Sequence, residues 1–427
     1  MTIAILFGTF FILMFIGVPI ALSLGLSSLV TMVLATNSSP SVIIQKAFTS
    51  LDSFQLMAIP FFILAGVLMS HGGISKRLLN LATVLIGFIS GGLAMVTVLA
   101  SMFFAAISGS GPATVAAMGS FMIPSMKEHK YNPGFAAAIT ASAGSIGVLI
   151  PPSIPFVMYG VVGTVSIGSM FLAGIIPGII LGLALMVISY IIAKKNGYKG
   201  TGEIPTFKDV LKAINEAKLA LLIPVIILGG IYAGIFSPTE SAAVASVYAL
   251  IIGVFVYKEL NWKSVYESFS SAALTNAATV IIIGFSISFA FLMTKERIPV
   301  IVSEFIVSIS DSPIVIILVI NVFLLIVGMF IDTISAIVIL TPILLPVVTN
   351  IGIDPIHFGV ILVMNLAIGF VTPPLGVNLF VASTVGKVSF EKIIKAMIPI
   401  IITMIIALLI VIYFPPLSSW LPSLISN

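Results

Sequence analysis

An all-α polytopic membrane protein is the fold class this sequence predicts, and three observations predict it. Only 7% of the 427 residues are charged while 60% are hydrophobic; a soluble domain carries about 25% charge. The mean hydropathy of +1.30 leaves too little polar surface to face water. The apolar runs are long and uniform rather than short and alternating, so they are helices and not barrel strands. A soluble enzyme, a nucleic-acid binder and a soluble domain on one anchor are excluded. Cysteine is absent, which removes disulfides, thiolate metal sites and cysteine nucleophiles. Residues 1–35 lack a basic start and run on as a span, so no cleavable signal is expected.

The elements follow from the run lengths. Spans are expected near 3–35, 54–70, 133–163, 169–193, 219–236, 238–257, 267–294, 355–384 and 393–413. The first is long for one span and short for two, and reads as a single tilted or broken helix. Segments 91–126 and 313–348 are too long for one span and carry small or polar residues midway, so each reads as a re-entrant helical hairpin. Charge orients the layout. Segments 71–77, 127–130, 194–218, 258–267 and 386–395 hold 15 of the 18 Lys and Arg, which makes them cytoplasmic. Segment 194–218 is the connector at mid-chain.

The chain repeats itself. Residues 109–177 shifted by 222 meet 331–399, and five prolines coincide: Pro124 with Pro346, Pro133 with Pro355, Pro151 and Pro152 with Pro373 and Pro374, and Pro177 with Pro399. Shared apolar composition does not produce this, because proline inside a helix is structural punctuation. Matching loops differ in charge. Loop 127–130 is basic and its mate 349–352 uncharged; loop 163–168 is uncharged and its mate 385–392 basic. The two repeats, 1–193 and 238–427 joined through a linking helix at 219–237, are therefore expected to be inverted. Inverted repeats with broken helices point to a secondary transporter with its site at the repeat interface.

Four segments break the helical pattern at membrane depth: Ser108–Thr114, Ala143–Ser153, Gly328–Ser335 and Ala367–Asn378. Gly lets the chain leave helical geometry and Pro removes a donor, so carbonyl oxygens are freed. Such backbone survives only inside protein or along a cavity. Na⁺ takes oxygen ligands of this kind, and half-helix N-termini face an anionic substrate. Pairing each hairpin tip with the break in its own half gives two symmetry-related cation sites. Asp332 is the most informative residue, because a carboxylate at this depth costs ~2.5–3.5 kcal/mol on insertion scales. Its expected partner is Na⁺, directly or through Thr333. The three histidines, His71, His129 and His357, fall in or near loops and are far apart, so no other metal site is expected. Ser108–Gly111 is no phosphate loop, since no Lys follows and no strand precedes it.

Ser108–Thr114 (SGSGPAT) and 144–153 (GSIGVLIPPS), with Asp332-Thr333 and Thr372–Asn378 (TPPLGVN), resemble the large membrane subunit of the tripartite ATP-independent periplasmic (TRAP) transporters over essentially the whole chain. That resemblance implies Na⁺-coupled uptake of an organic acid, of the sialic acid or C4-dicarboxylate class, across the bacterial inner membrane. It implies an elevator, in which hairpins and broken helices slide against a scaffold. It also implies two partners, a small four-helix membrane subunit, here expected on a separate chain, and a periplasmic binding protein. No organic cofactor is implied.

Carried over by position, one Na⁺ site uses Ser108 and Ser110 with Gly144, Val148 and Pro151. The other uses Gly328, Asp332, Thr333, Gly369, Thr372 and Pro374. Substrate lies between them, near Ser153 and Asn378, with Ser108, Gly109 and Gly111 facing its carboxylate. The arginine clamp usual for carboxylates is missing, since Arg77 and Arg297 are the only arginines and neither lies at membrane depth. Glu240, Lys295 and Arg297 are expected on the outer face, where they dock the binding protein. The alternatives are a stand-alone Na⁺/dicarboxylate symporter, a passive channel and an intramembrane enzyme. The last lacks a base or metal partner for Asp332.

Overall fold

The computed structural model describes residues 2–36, 39–200, 202, 204–309 and 312–424; Thr201 and Glu203 of the connector lie outside them. The described residues form helices and no strand, and eight helices are long and apolar enough to cross a membrane. The first apolar run is not one helix. It folds into α1 (Thr2–Phe15) and α2 (Ile20–Ala35), packed on each other. Gly17 turns the chain at φ +87° and Pro19 cannot donate to a continuing helix, which forces the fold-back.

Then come α3 (Ser41–Leu51), α4 (Ala58–His71) and α5 (Ile74–Ile86). The first hairpin is α6 (Gly92–Ser108) and α7 (Gly111–Glu128). The first broken helix is α8 (Pro133–Ser145) and α9 (Ile154–Val162), followed by α10 (Ile167–Asn196). The linking helix α11 (Phe207–Tyr232) starts earlier than expected, inside the connector, because Thr206 and Asp209 form a capping box there. Next are α12 (Pro238–Ile251), α13 (Trp262–Lys295) and α14 (Ile298–Ile309). The second hairpin is α15 (Pro313–Phe330) and α16 (Thr333–Asn350). The second broken helix is α17 (Pro355–Gly369) and α18 (Val377–Gly386), and α19 (Phe390–Tyr413) and α20 (Pro416–Ser423) close the chain.

The matched prolines have matched jobs. Pro133 and Pro355 open α8 and α17 directly after the caps Asn132 and Asp354, whose side chains accept first-turn N–H groups. Pro151-Pro152 and Pro373-Pro374 lie in the two breaks, each pair joined by a cis bond. Pro124, Pro346, Pro177 and Pro399 sit inside α7, α16, α10 and α19.

Two helices are enclosed on every side. All residues from Gly134 to Ser145 in α8 and from His357 to Gly369 in α17 are buried. The first break is thus inside protein, as unsatisfied backbone requires, while the second begins buried and opens at Pro374 and Leu375. His357 is part of this core rather than a loop: its Nδ1 lies 2.6 Å from Ser418 Oγ and its Nε2 lies 3.3 Å from the Ile412 carbonyl.

The five basic segments meet at one end of the molecule. Arg77 pairs with Glu259 at 2.7 Å and stacks on Tyr257, whose hydroxyl donates to the Glu216 carbonyl. Tyr198 stacks on Tyr131 with ring centres 4.2 Å apart and accepts from Asn132 N–H. Lys127 donates to the Gly386 carbonyl at 3.0 Å. The uncharged loops have other company. Gly163 lies near Thr341 and Leu345 of α16. Tyr159 donates to the Pro355 carbonyl, and Tyr232 to that of Gly168.

Candidate functional site

Tip one is a tight reversal. Gly109, at φ +62°, ends α6, and a Cβ there would sit 2.7 Å from the Pro152 carbonyl oxygen. The Gly109 carbonyl accepts from Ile154 N–H at 3.2 Å, so the tip is bonded to the start of α9. Its hydroxyls bond one another. Ser108 Oγ lies 3.0 Å from Thr114 Oγ1, which donates to the Ser110 carbonyl at 2.8 Å. In break one, Gly144 packs against the Gly111 carbonyl and Gly147 against that of Ser110. Pro151, Pro152 and Ser153 are buried. The Ser153 hydroxyl donates to the Val148 carbonyl at 2.6 Å and accepts from Phe156 N–H at 3.3 Å, capping α9.

Tip two is built from different residues. Ile331 and Asp332 are extended, and Asp332 Oδ1 caps α16 by accepting from Ser335 N–H at 3.0 Å. The hydroxyls of Thr333 and Ser335 are buried without any hydrogen-bond partner. In break two, a Cβ on Gly369 would collide with the backbone of Gly328, so α15 lies directly on the end of α17. Thr372 donates back to the Ile368 carbonyl at 2.8 Å. Pro374 is exposed. Asn378 reaches across the molecule: its Nδ2 donates to the Ala141 carbonyl at 3.1 Å and its Oδ1 has no partner.

Both tips and both breaks meet at one cavity of about 170 Å³. Its lining falls into five pairs related by the 222-residue shift: Ser110 with Asp332, Gly111 with Thr333, Pro112 with Ile334, Val148 with Phe370, and Pro155 with Val377. Gly109 and Ile154 complete it. The residues that open α7, α9, α16 and α18 all line it, so four helix N-termini converge on one small space. Each such terminus carries unsatisfied N–H groups and partial positive charge. Asp332 is the only charged residue in the lining.

Of the residues the sequence singled out for two Na⁺ sites and the substrate, Gly109, Ser110, Gly111, Val148, Asp332 and Thr333 line this one space. Gly144, Gly328 and Gly369 are where tip and break backbones touch, while Ser153 and Asn378 are spent on capping and on a cross-molecule bond. Phe370 was missed. The signal for it was available, since the shift that pairs Ser110 with Asp332 carries Val148 onto Phe370. The buried pair Asn321–Asn365, bonded at 2.5 Å between α15 and α17, was also missed. The docking candidates occupy helix ends. Glu240 is held in a capping box by Ser237, with Oε2 2.8 Å from both N and Oγ, and Lys295 and Arg297 are exposed at the turn after α13.

Helices that stop at mid-depth, with their N-termini gathered on a cavity, define a membrane transporter. Residues 7–417 match the family of the tripartite ATP-independent periplasmic transporter, DctM component, and the chain belongs to that family. It is 52% identical over 411 residues to the isethionate TRAP transporter permease protein DctMQ of Oleidesulfovibrio alaskensis, covering 96% of this chain and 65% of that one. The chain thus spans under two thirds of that relative. It is 42% identical to the C4-dicarboxylate TRAP transporter large permease DctM of Vibrio cholerae (100% and 98% covered). To the sialic acid TRAP transporter large permease SiaM of the same organism it is 40% identical (96% of each covered). In fold it is similar to the YdaH transporter of Alcanivorax borkumensis, at 13% identity and a TM-score of 0.64, covering 92% of this chain and 90% of that one.

Proposed function

We propose that the chain drives Na⁺-coupled uptake of a small organic anion across the bacterial inner membrane. In this reading the hairpins and broken helices move as an elevator against the remaining helices. One observation carries it: the pseudo-symmetric cavity where four helix N-termini, one carboxylate and an unpartnered hydroxyl meet. The N-termini suit a carboxylate or sulfonate without an arginine. Asp332 and the Thr333 hydroxyl suit Na⁺, which is cargo here and not a resident cofactor. A second Na⁺ would be held by the carbonyls crowded where Ser110 and Gly111 meet Gly144 and Gly147. Contacts at the two ends support inversion: loop 127–130 shares the basic end with 386–392, and loop 163–168 lies beside α16 near Pro355.

The cavity is smaller than the ~300 Å³ at which drug-sized pockets begin. That favours an isethionate-sized or C4-dicarboxylate-sized anion over the larger sialic acid. With so few specific groups in the lining, selectivity resides in a periplasmic binding protein, and a small membrane subunit completes the transporter. Uptake of labelled isethionate, succinate and sialic acid into proteoliposomes tests this. The proteoliposomes hold the chain with the small subunit, with and without an inward Na⁺ gradient and the binding protein. Uptake that needs both is expected. Na⁺-driven uptake without the binding protein would instead favour a stand-alone symporter, and flux without gradient coupling would favour a channel. Arg297→Glu should lower binding-protein-dependent uptake several-fold through slower docking and leave thermal stability unchanged; undiminished uptake would remove Arg297 from the docking face.

A further inference from the structure

The end that gathers the basic segments holds a second cavity, of about 550 Å³, between α8, α10 and α19. Lys195, Lys392 and Lys395 line it, together with Phe135, Ile192 and Pro399. The three lysines are exposed, and neither ion pair among the described residues involves them. No acidic residue lines the cavity; Glu391, beside Lys392, is exposed and outside it. The wall is firm, because Tyr198, which also lines it, is stacked on Tyr131.

Polarity is graded along the cavity. The helix α10 runs toward the basic end, so Ile192 lies about one turn deeper in the membrane than Lys195. The helix α19 runs away from that end, so Pro399 lies about one turn deeper than Lys395. Charge is therefore at the rim and apolar surface is below it on both helices. A free soluble anion would use only the rim. A phospholipid uses both parts.

We infer that this cavity binds an anionic phospholipid of the cytoplasmic leaflet. The three ammonium groups hold the headgroup phosphate, and an acyl chain follows the slot along Ile192, Phe135 and Pro399. Basic pockets between membrane helices on the cytoplasmic side have this chemistry, and each lysine contributes roughly a fivefold gain in affinity for an anionic headgroup.

Native mass spectrometry of the detergent-purified full chain, titrated with phosphatidylglycerol, phosphatidylcholine or inorganic phosphate, tests the inference. Phosphatidylglycerol adducts should persist where phosphatidylcholine adducts are lost. The variant K195Q/K392Q/K395Q should lose phosphatidylglycerol by about fivefold per lysine. If that triple variant is not recovered, each single Gln variant carries the same fivefold test. The control K208Q/K212Q/K218Q, at the same end but on α11, should bind as the parent does. Ile192→Trp, which fills the slot, should weaken phosphatidylglycerol several-fold. Equal retention of both lipids, or unchanged retention in K195Q/K392Q/K395Q, overturns the inference. So does inorganic phosphate displacing phosphatidylglycerol at comparable concentration, which would make the cavity a phosphate site. Retention unaffected by Ile192→Trp overturns the acyl-chain placement and with it the lipid.

Discussion

Tip one and tip two occupy equivalent places in the chain, and they are chemically unlike. Around tip one the buried hydroxyls are spent: Ser108 and Thr114 bond each other, and Ser153 closes on its own break, which leaves the half-buried Ser110 hydroxyl. The surrounding break is buried apart from the half-buried Ile150. At tip two a carboxylate stands where tip one has Ser110, two buried hydroxyls have no partner, and Pro374 and Leu375 of the break are exposed. A buried polar atom without a partner costs free energy. That this cost falls at one tip and not at its equivalent supports the proposed Na⁺ position at tip two. Tip one offers backbone carbonyls and the Ser110 hydroxyl but no carboxylate. The two halves thus share the positions of their breaks and differ in the side chains at their tips.

The largest expected effect tests the charge. Asp332→Asn keeps the α16 cap, since Asn caps as well as Asp, but removes the only charge in the cavity. Losing a charge-assisted contact of about 1.5–3 kcal/mol weakens Na⁺ by roughly ten- to a hundredfold. Initial uptake rates against Na⁺ concentration read this directly, with membrane yield as the folding control. Ser110→Ala, at the equivalent position, should change the Na⁺ dependence little, because its hydroxyl makes no bond to the break and its carbonyl remains. A shared response of the two variants would erase the asymmetry.

The next effect concerns packing. Gly369→Ala drives a methyl into the Gly328 backbone, which cannot yield without moving α15. Gly147→Ala meets the Thr114 hydroxyl at 2.6 Å and the Ser110 carbonyl oxygen at 2.7 Å, and the hydroxyl can rotate away. Both should lower the melting temperature, within the ~1–3 kcal/mol typical of overpacking. Gly369→Ala should be the worse of the two. The reverse order would mean that hairpin one, not hairpin two, is the tighter joint.

Much of this was legible in the residues. Run lengths with small or polar residues midway located both hairpins, and the coinciding prolines related the two halves. Asp332 stood out because charge is scarce and costly at depth. The helices α3, α5 and α14 were not legible as spans, because each is short and none is among the helices long and apolar enough to cross. The fold-back of α1 on α2 hides in a run whose hydropathy never drops; only Gly17 and Pro19 mark it. Cross-molecule relations were the hardest. That Asn378 bonds to α8, and that Phe370 packs beside Gly111 of the other tip, depends on how the halves meet. Local sequence does not encode that; the repeat shift shows only which residues are equivalent, such as Val148 and Phe370.

The smallest expected effect separates stability from ion binding. Thr333→Val replaces an unpartnered buried hydroxyl with a methyl of similar shape. In Na⁺-free buffer it should therefore leave the protein as stable as the parent or slightly more so. Thr114→Val breaks the Ser108 pair and strands a hydroxyl, costing about 1 kcal/mol in the same buffer. Adding Na⁺ should then raise the melting temperature of the parent and of Thr114→Val, since an ion that binds only the folded state stabilises it by mass action. Thr333→Val should gain much less. Thermal unfolding of the three proteins over a Na⁺ series gives both readings at once. If Thr333→Val were destabilised without Na⁺ and shifted normally with it, its hydroxyl would belong to the fold and not to the ion, and the carboxylate of Asp332 would be left as the sole distinction of tip two.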